Sequence, residues 1–403
     1  MKTHLAVALT VGLVPCLVLA ACASNDVRPD GERSADGERI TVTVTTHAPE
    51  TGNDAQGLIG YGKAVEEATD GRITFEYHFS ESLVPLAETP QALADGVADL
   101  GHVIASYDPA KFPIANWEAA LAIAQTPTIP AGLLAATTAQ AKWVFEQPEL
   151  LKEFEDVGVK VVAPAQTLLE YDILCKKPIR TLDEAKGTRI RVPGALMAQE
   201  AEALGMVPAQ LPGGEAYEAL QRGIVDCLTG PPEYFRASSA WDVAKHFTAI
   251  PLVGFNQYYV SFGLDFWNSL SDEDRTILAD TAKDWYGSYF GGYVDQQLTF
   301  FREADDHGVS LHKADAELVA ALRAHQEEVL ANLAESAPSG VQDPRGTVQR
   351  RIELNEEYYQ QFTKEFGYPA YQTWPEVERG MEPLDLSRWV NFISANVLPD
   401  AKS

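Results

Sequence analysis

Catalytic signatures are missing from this 403-residue chain: it carries no G-x-S-x-G, H-E-x-x-H, phosphate-binding P-loop or C-x-x-C. The chemistries that need those spacings lose their support with them. Gly60-Tyr61-Gly62 precedes a helix pattern but lacks a third glycine and follows no strand, which excludes a dinucleotide site. His47, His78, His102, His246, His307, His312 and His325 show no metal-ligand spacing. Positive charge is also in deficit, with 31 Lys and Arg against 58 Asp and Glu and a formal net charge of −27. No net positive field exists to displace counterions from phosphates, so nucleic acid is excluded as a partner. Acidic pairs are so abundant that they say nothing about a glycosidase-type dyad. After residue 20 no apolar stretch approaches the roughly 20 residues that a membrane span needs.

What is present starts with an export signal. Met1-Lys2 leads into an apolar run over residues 5–20 that closes on Leu19-Ala20-Ala21-Cys22. A short apolar run with a basic start and small residues at its end reads as a signal peptide. Its last four residues resemble a bacterial lipoprotein signal, which implies that Cys22 takes the lipid and becomes the mature N-terminus. Residues 1–22 are then the signal, and the polar residues 23–38 are a flexible tether. Cys16 leaves with the signal. Cys175 and Cys227 remain in a compartment that permits disulfides, either bridged or as two buried free thiols.

At 46% hydrophobic content the remainder can fill two full cores. Residues 38–45 alternate as a strand, residues 57–69 form an amphipathic helix, and strand patterns recur over 72–78 and 97–104 with a helix at 89–95 between them. Strands alternating with helices indicate a mostly parallel α/β lobe. Residues 92–100 (Ala-Leu-Ala-Asp-Gly-Val-Ala-Asp-Leu) echo residues 219–227 (Ala-Leu-Gln-Arg-Gly-Ile-Val-Asp-Cys). Each is a helix end, a Gly cap and a strand carrying Asp, which suggests two lobes on one plan. Residues 171–174 read as the strand crossing into the second lobe and 255–262 as the returning one. A long helix is predicted from Ser271 to about residue 305, and the tail beyond 336 is predicted to pack against the second lobe. Ligands in such α/β lobes sit beyond the carboxyl ends of the strands, which gathers His47, residues 104–107, Tyr171 and Arg191 around one cleft.

The densest stretch runs over residues 178–226. Arg189-Ile190-Arg191-Val192 is a strand pattern that Pro193 stops, and Gly194 leads into a helix that Gly205 ends. A cation at a strand end beside a helix start is placed to hold an anion. Pro178-Ile179-Arg180-Thr181-Leu182-Asp183-Glu184-Ala185-Lys186-Gly187, the Arg191-Val192-Pro193 turn, Ala203-Leu204-Gly205-Met206-Val207-Pro208 and the run from Glu215 to Asp226 follow in order. That series resembles the solute-binding proteins of tripartite ATP-independent periplasmic (TRAP) transporters, with a looser match over residues 41–297.

The resemblance implies a two-lobe clamshell of α/β class with mixed, mostly parallel sheets, a long lobe-spanning helix and a helical tail. Lobe 1 is expected over 39–168 and 255–285, and lobe 2 over 169–254 and 286–403. It implies capture without chemistry of a mono- or dicarboxylate (a 2-oxo, hydroxy or aromatic acid), with no enzyme activity and no cofactor. Arg191 is the expected carboxylate clamp, since its planar fork meets two oxygens at once. Tyr171 falls where sugar-acid binders of the family carry a second arginine, which disfavours sialic acid. Thr229 and Gly230 replace an acidic and a bulky position, so no metal is expected, and Gly213 and Gly230 are expected to leave room for a larger ligand. Tyr107, Tyr258 and Tyr259 are expected to line that room, with His47, Asn256 and Gln257 holding the rest. Membrane permease subunits are the implied partners, with a lipid anchor to the membrane. A sensor ectodomain reporting to a signalling partner is the alternative.

Overall fold

The computed structural model describes residues 37, 39–167, 169–254, 258–381 and 384–399. Asn256, Gln257 and the signal with Cys22 therefore lie outside the described residues. The strands are Ile40–Thr45 (β1), Ile73–His78 (β2), Leu100–Ile104 (β3), Ile129–Pro130 (β4), Val159–Ala165 (β5), Glu170–Cys175 (β6), Arg189–Val192 (β7), Val207–Gln210 (β8), Cys227–Gly230 (β9), His246–Val253 (β10), Tyr258–Gly263 (β11), Ser310–Lys313 (β12) and Ala370–Tyr371 (β13).

They build two main sheets, ordered β2-β1-β3-β11-β5 and β12-β10-β6-β9-β7-β8. In the first, β1 runs parallel to β2 and β3, while β11 is antiparallel to β3 and β5. In the second, β7 runs parallel to β8 and β9, and β6 is antiparallel to both β9 and β10. The chain leaves the first sheet after β5, builds most of the second, and returns as β11. β6 covers the crossing expected at residues 171–174, and β11 covers residues 258–262 of the return expected at 255–262, the rest of which lies outside the described residues.

The internal echo is structural. Gly96 and Gly223 both take the left-handed conformation, at φ +69° and +73°. Each lets the next N–H close the preceding helix, Val97 onto Ala92 O and Ile224 onto Ala219 O, both at 2.9 Å. The aspartates then do one job in two places. Asp99 accepts from the Thr43 N–H at 2.8 Å, and Asp226 accepts from Arg189 through its N–H (3.3 Å) and Nε (2.9 Å).

Two expectations need correction. The long helix is two: Asp272–Asp280, then Ala282–Glu303, broken at Thr281. The Thr281 hydroxyl donates to the carbonyl of Ile277 at 2.6 Å, the side-chain bond that competes with a continuing helix. The second piece spans both lobes. Tyr286 donates to Pro164 O in the first at 2.7 Å, and Phe300 stacks among Phe235, Trp241 and Phe247 in the second.

The tail packs mainly on the first lobe, and it also touches the second, where Trp374 lies 6.3 Å from the Phe301 ring and Glu378 pairs with Arg302 at 2.9 Å. Its helix Pro344–Lys364 lies along Ala131–Phe145, where Trp143 Nε1 donates to Thr347 O at 3.0 Å. Arg351 is fully buried there and bonded to Gln140, Asn355 and Gln166. Trp389 Nε1 donates to Thr138 at 2.9 Å. The Ala-rich surface of Ala131–Phe145, buried on nearly every side, needs a second cover, and the tail supplies it.

Cys175 and Cys227 face each other across the β6–β9 pair, Cα atoms 4.1 Å apart, and are joined as a disulfide.

Candidate functional site

Arg191 sits at the end of β7, between β9 and β8, and is 3% exposed. Its Nε donates to the carbonyl of Leu211 at 2.8 Å, and Tyr234 lies with its ring centroid 5.9 Å from the guanidinium carbon. The Leu211 N–H is itself held by Val192 O at 3.2 Å, so the turn carrying Leu211 is fixed to the same strand. Among the described residues no carboxylate lies within ion-pair distance of Arg191, in contrast to its strand neighbour Arg189, which pairs with Asp226 at 2.8 Å. A buried guanidinium with one edge pinned and its Nη atoms unpaired is costly alone and favourable once an anion arrives.

The lobes meet beside it. Tyr107, from the first-lobe segment Ala105–Tyr107, accepts from the Gly213 N–H at 3.1 Å, and Tyr234 donates to Gly213 O at 2.9 Å. A Cβ on Gly194 would lie 3.0 Å from Ser106 Cβ, and one on Gly214 would lie 3.0 Å from Glu81 Oε2. A side chain at either position would press on the facing side chain, and glycine relieves that contact. Burial pushes the Tyr171 phenol up despite the Arg191 charge that favours its ionised form.

Further along the cleft stand groups that the sequence reading did not select. Asp54, in the first turn of Asn53–Ala68, accepts a hydrogen bond from Tyr258 Oη and lies 3.6 Å from His47 Nε2. His102, on β3, is 1% exposed and stacks 4.4 Å from the Tyr258 ring. Neither of its ring nitrogens has a hydrogen-bond partner among the described residues. Burial pushes His102 down to about 3, so it is neutral. Glu233, which opens the helix Pro232–Ala237, is pushed up to about 7 by burial and then by the charge of Asp54. No sequence spacing announces these pairs, since Asp54 and Tyr258 are 204 residues apart.

Of the residues selected from sequence, Arg191, Tyr171 and Tyr107 gather at one end of the cleft, and His47 and Tyr258 at the other. Gly230 needs correction. A Cβ there would sit 2.5 Å from Tyr234 Cδ1, so the room expected beside it is already filled by that ring. Tyr259 turns away, as alternation along β11 requires, and donates to Glu118 inside the first lobe at 2.7 Å. Among the described residues no cluster of three or more His, Cys, Asp or Glu is arranged to hold a metal ion. An apolar groove of about 590 Å³, lined by Phe247, Ile250, Phe301 and Trp374, is separate from this cleft and contains none of these residues.

The bacterial extracellular solute-binding protein family 7 matches residues 45–337. A monocarboxylate 2-oxoacid-binding periplasmic protein of Nostoc sp. is 30% identical over 242 residues, 58% of this chain. The chain spans 63% of that relative's length, and 44% and 50% of the next two curated relatives it matches. Two solved TRAP solute-binding proteins from a marine metagenome share the fold. One, specific for aromatic acids, superposes with a TM-score of 0.66 at 21% identity over 80% of this chain and 99% of its own. The other, specific for pyroglutamate, gives 0.65 at 16% identity over 79% and 99%. With two sheets joined by paired crossings and a family match over residues 45–337, this chain belongs to the bacterial extracellular solute-binding proteins of family 7 and shares the fold of solved TRAP solute-binding proteins.

Proposed function

We propose that the cleft captures an organic acid whose carboxylate is held by Arg191, and that the closed receptor delivers it to membrane permease subunits. The observation that carries this is the buried Arg191 guanidinium, without an acidic partner among the described residues in a chain of net charge −27. Relatives and structural neighbours that bind 2-oxo acids, aromatic acids and pyroglutamate support a carboxylate as the common element. The order of events follows from the contacts. In the open form Arg191 meets the carboxylate; closure then brings Tyr107 onto Gly213, excludes water and strengthens the ion pair. Only a ligand that touches both lobes can shift them, so affinity and closure are coupled. Nothing in this sequence of steps makes or breaks a covalent bond.

The test is calorimetry against mono- and dicarboxylates found first by thermal shift, where bound ligand raises the melting temperature by mass action. Arg191→Ala is expected to cost of order 2–5 kcal/mol of binding, as for a broken buried charge pair. An unchanged affinity would remove Arg191 from the site. Arg191→Lys is expected to recover only part, since a point charge cannot match two oxygens.

A further inference from the structure

Two acids from opposite lobes act on the same buried tyrosines, Tyr258 and Tyr289. Asp54 opens the helix Asn53–Ala68 and Glu233 opens Pro232–Ala237, and both helix starts abut one turn of the lobe-spanning helix. Gln296 Nε2 donates to Thr51 O at 3.2 Å, and the next residue, Gln297, accepts from the Glu233 N–H at 3.1 Å. The charge of Asp54 acts directly on Glu233, and both act on Tyr258 and Tyr289. Arg236 is the cation that acts on Glu233, yet no ion pair forms between them among the described residues. Buried polar groups of this region have no hydrogen-bond partner among the described residues. His102 is 1% exposed with both ring nitrogens unpartnered, and Gln297 is 0% exposed with Nε2 unpartnered. Tyr171 is within electrostatic reach of both Arg191 and Glu233.

An acid seated on Arg191 with a neutral body would bring its far end toward Asp54, which already accepts from Tyr258, and toward Glu233, and would gain no charge pairing from either. A cationic nitrogen at that end reverses the sign of both interactions, and tyrosine rings favour it further. Resting on the reading of Arg191 as the carboxylate clamp, we propose that this receptor selects zwitterions: the carboxylate on Arg191, and an ammonium or quaternary nitrogen between Asp54 and Glu233.

Isosteric pairs test this directly, because carbon replaces nitrogen at constant shape. Glycine betaine is compared with 3,3-dimethylbutanoate, and pipecolate with cyclohexanecarboxylate, by calorimetry on the full mature chain. The zwitterion of a pair is expected to bind at least about tenfold tighter, the size of a desolvated cation interaction with ring faces and an acid. Asp54→Asn with Glu233→Gln is expected to bring the ratio within a pair close to one while leaving the plain acid bound, which also shows that the variant is folded. Plain acids binding through Arg191 with zwitterions rejected, or a ratio unmoved by the double variant, overturns the zwitterion assignment and leaves the clamp intact. Tight binding of plain acids only on addition of calcium overturns it as well, since the acids would then hold a metal. If no carboxylate of either class binds, the clamp itself fails, and this assignment with it.

Discussion

Tyr107 reaches from one lobe to the other, and what it holds is a backbone amide. Its oxygen accepts from the Gly213 N–H at 3.1 Å, on the turn whose other carbonyls restrain Arg191 and Tyr234. Tyr107→Phe keeps the ring and removes that acceptor, leaving a donor unpaired in the closed state only. The closed form then loses of order 1 kcal/mol relative to the open one, so ligand affinity should fall roughly fivefold, mostly in the dissociation rate. Stopped-flow release measured beside equilibrium affinity checks the assignment; an equal loss in association rate would place Tyr107 in the entry path instead. Gly230 teaches the opposite lesson. A missing side chain in the sequence looks like space, whereas here it marks where Tyr234 already packs.

At the scale of elements, the tail helix and the β6–β9 pair do the structural work that the cleft needs. Arg351 projects from Pro344–Lys364 into the first lobe and bonds Gln140 and Gln166. Its charge acts on Glu118, which accepts from Tyr259 and Gln140. Burial pushes Glu118 up to about 7 from the 4.5 of an exposed glutamate. Between those two values the folded chain keeps a proton that the unfolded chain releases. Stability therefore falls as pH rises across that window and is level above it. Urea denaturation at pH 5 and pH 8 should show a larger loss for the wild type than for Glu118→Gln, by about 2–3 kcal/mol. Equal losses would mean that Glu118 is ionised throughout. Glu200, also raised to about 7 by burial, keeps part of the slope in the variant. The disulfide closes a sequence separation of 52 residues within the second lobe, carrying β7 and Arg191 inside its loop. Replacing both cysteines by serine should cost about 4 kcal/mol by loop entropy. A reductant should lower the melting temperature of the wild type and leave the double variant unmoved.

For the whole molecule, the net charge of −27 opposes every anion that approaches, so capture depends on local fields and should be sensitive to salt. A lipid anchor would set where that capture happens. Leu19-Ala20-Ala21-Cys22 predicts a lipid on Cys22, and Cys22→Ala should move the protein from the detergent-extracted membrane fraction to the soluble one. An unchanged distribution would count against a lipid anchor. The clamshell itself was readable: the Gly96 and Gly223 caps, the strand before Pro193 and the two crossings all rest on signals within a few residues of each other. The same is true of Arg191, whose neighbours in sequence are its neighbours in the turn.

The remaining features depend on residues that only folding brings together. The break at Thr281 is local, but it competes with a helix pattern that continues on both sides, so composition alone favoured one helix. The tail's cover on the first lobe was not legible because an amphipathic helix records which face is apolar and not which surface will cover it; Trp143 and Thr347 had first to meet across 204 residues. The sequence by itself determined the α/β lobes, their paired plan and the cation at the strand end, because those follow from periodicity, caps and turn residues. Tertiary structure alone decided that Cys175 faces Cys227, that Tyr234 fills the space beside Gly230, and that the charge of Asp54 reaches Glu233. Those facts depend on the distance between chain segments after packing, and that distance is a property of the whole fold.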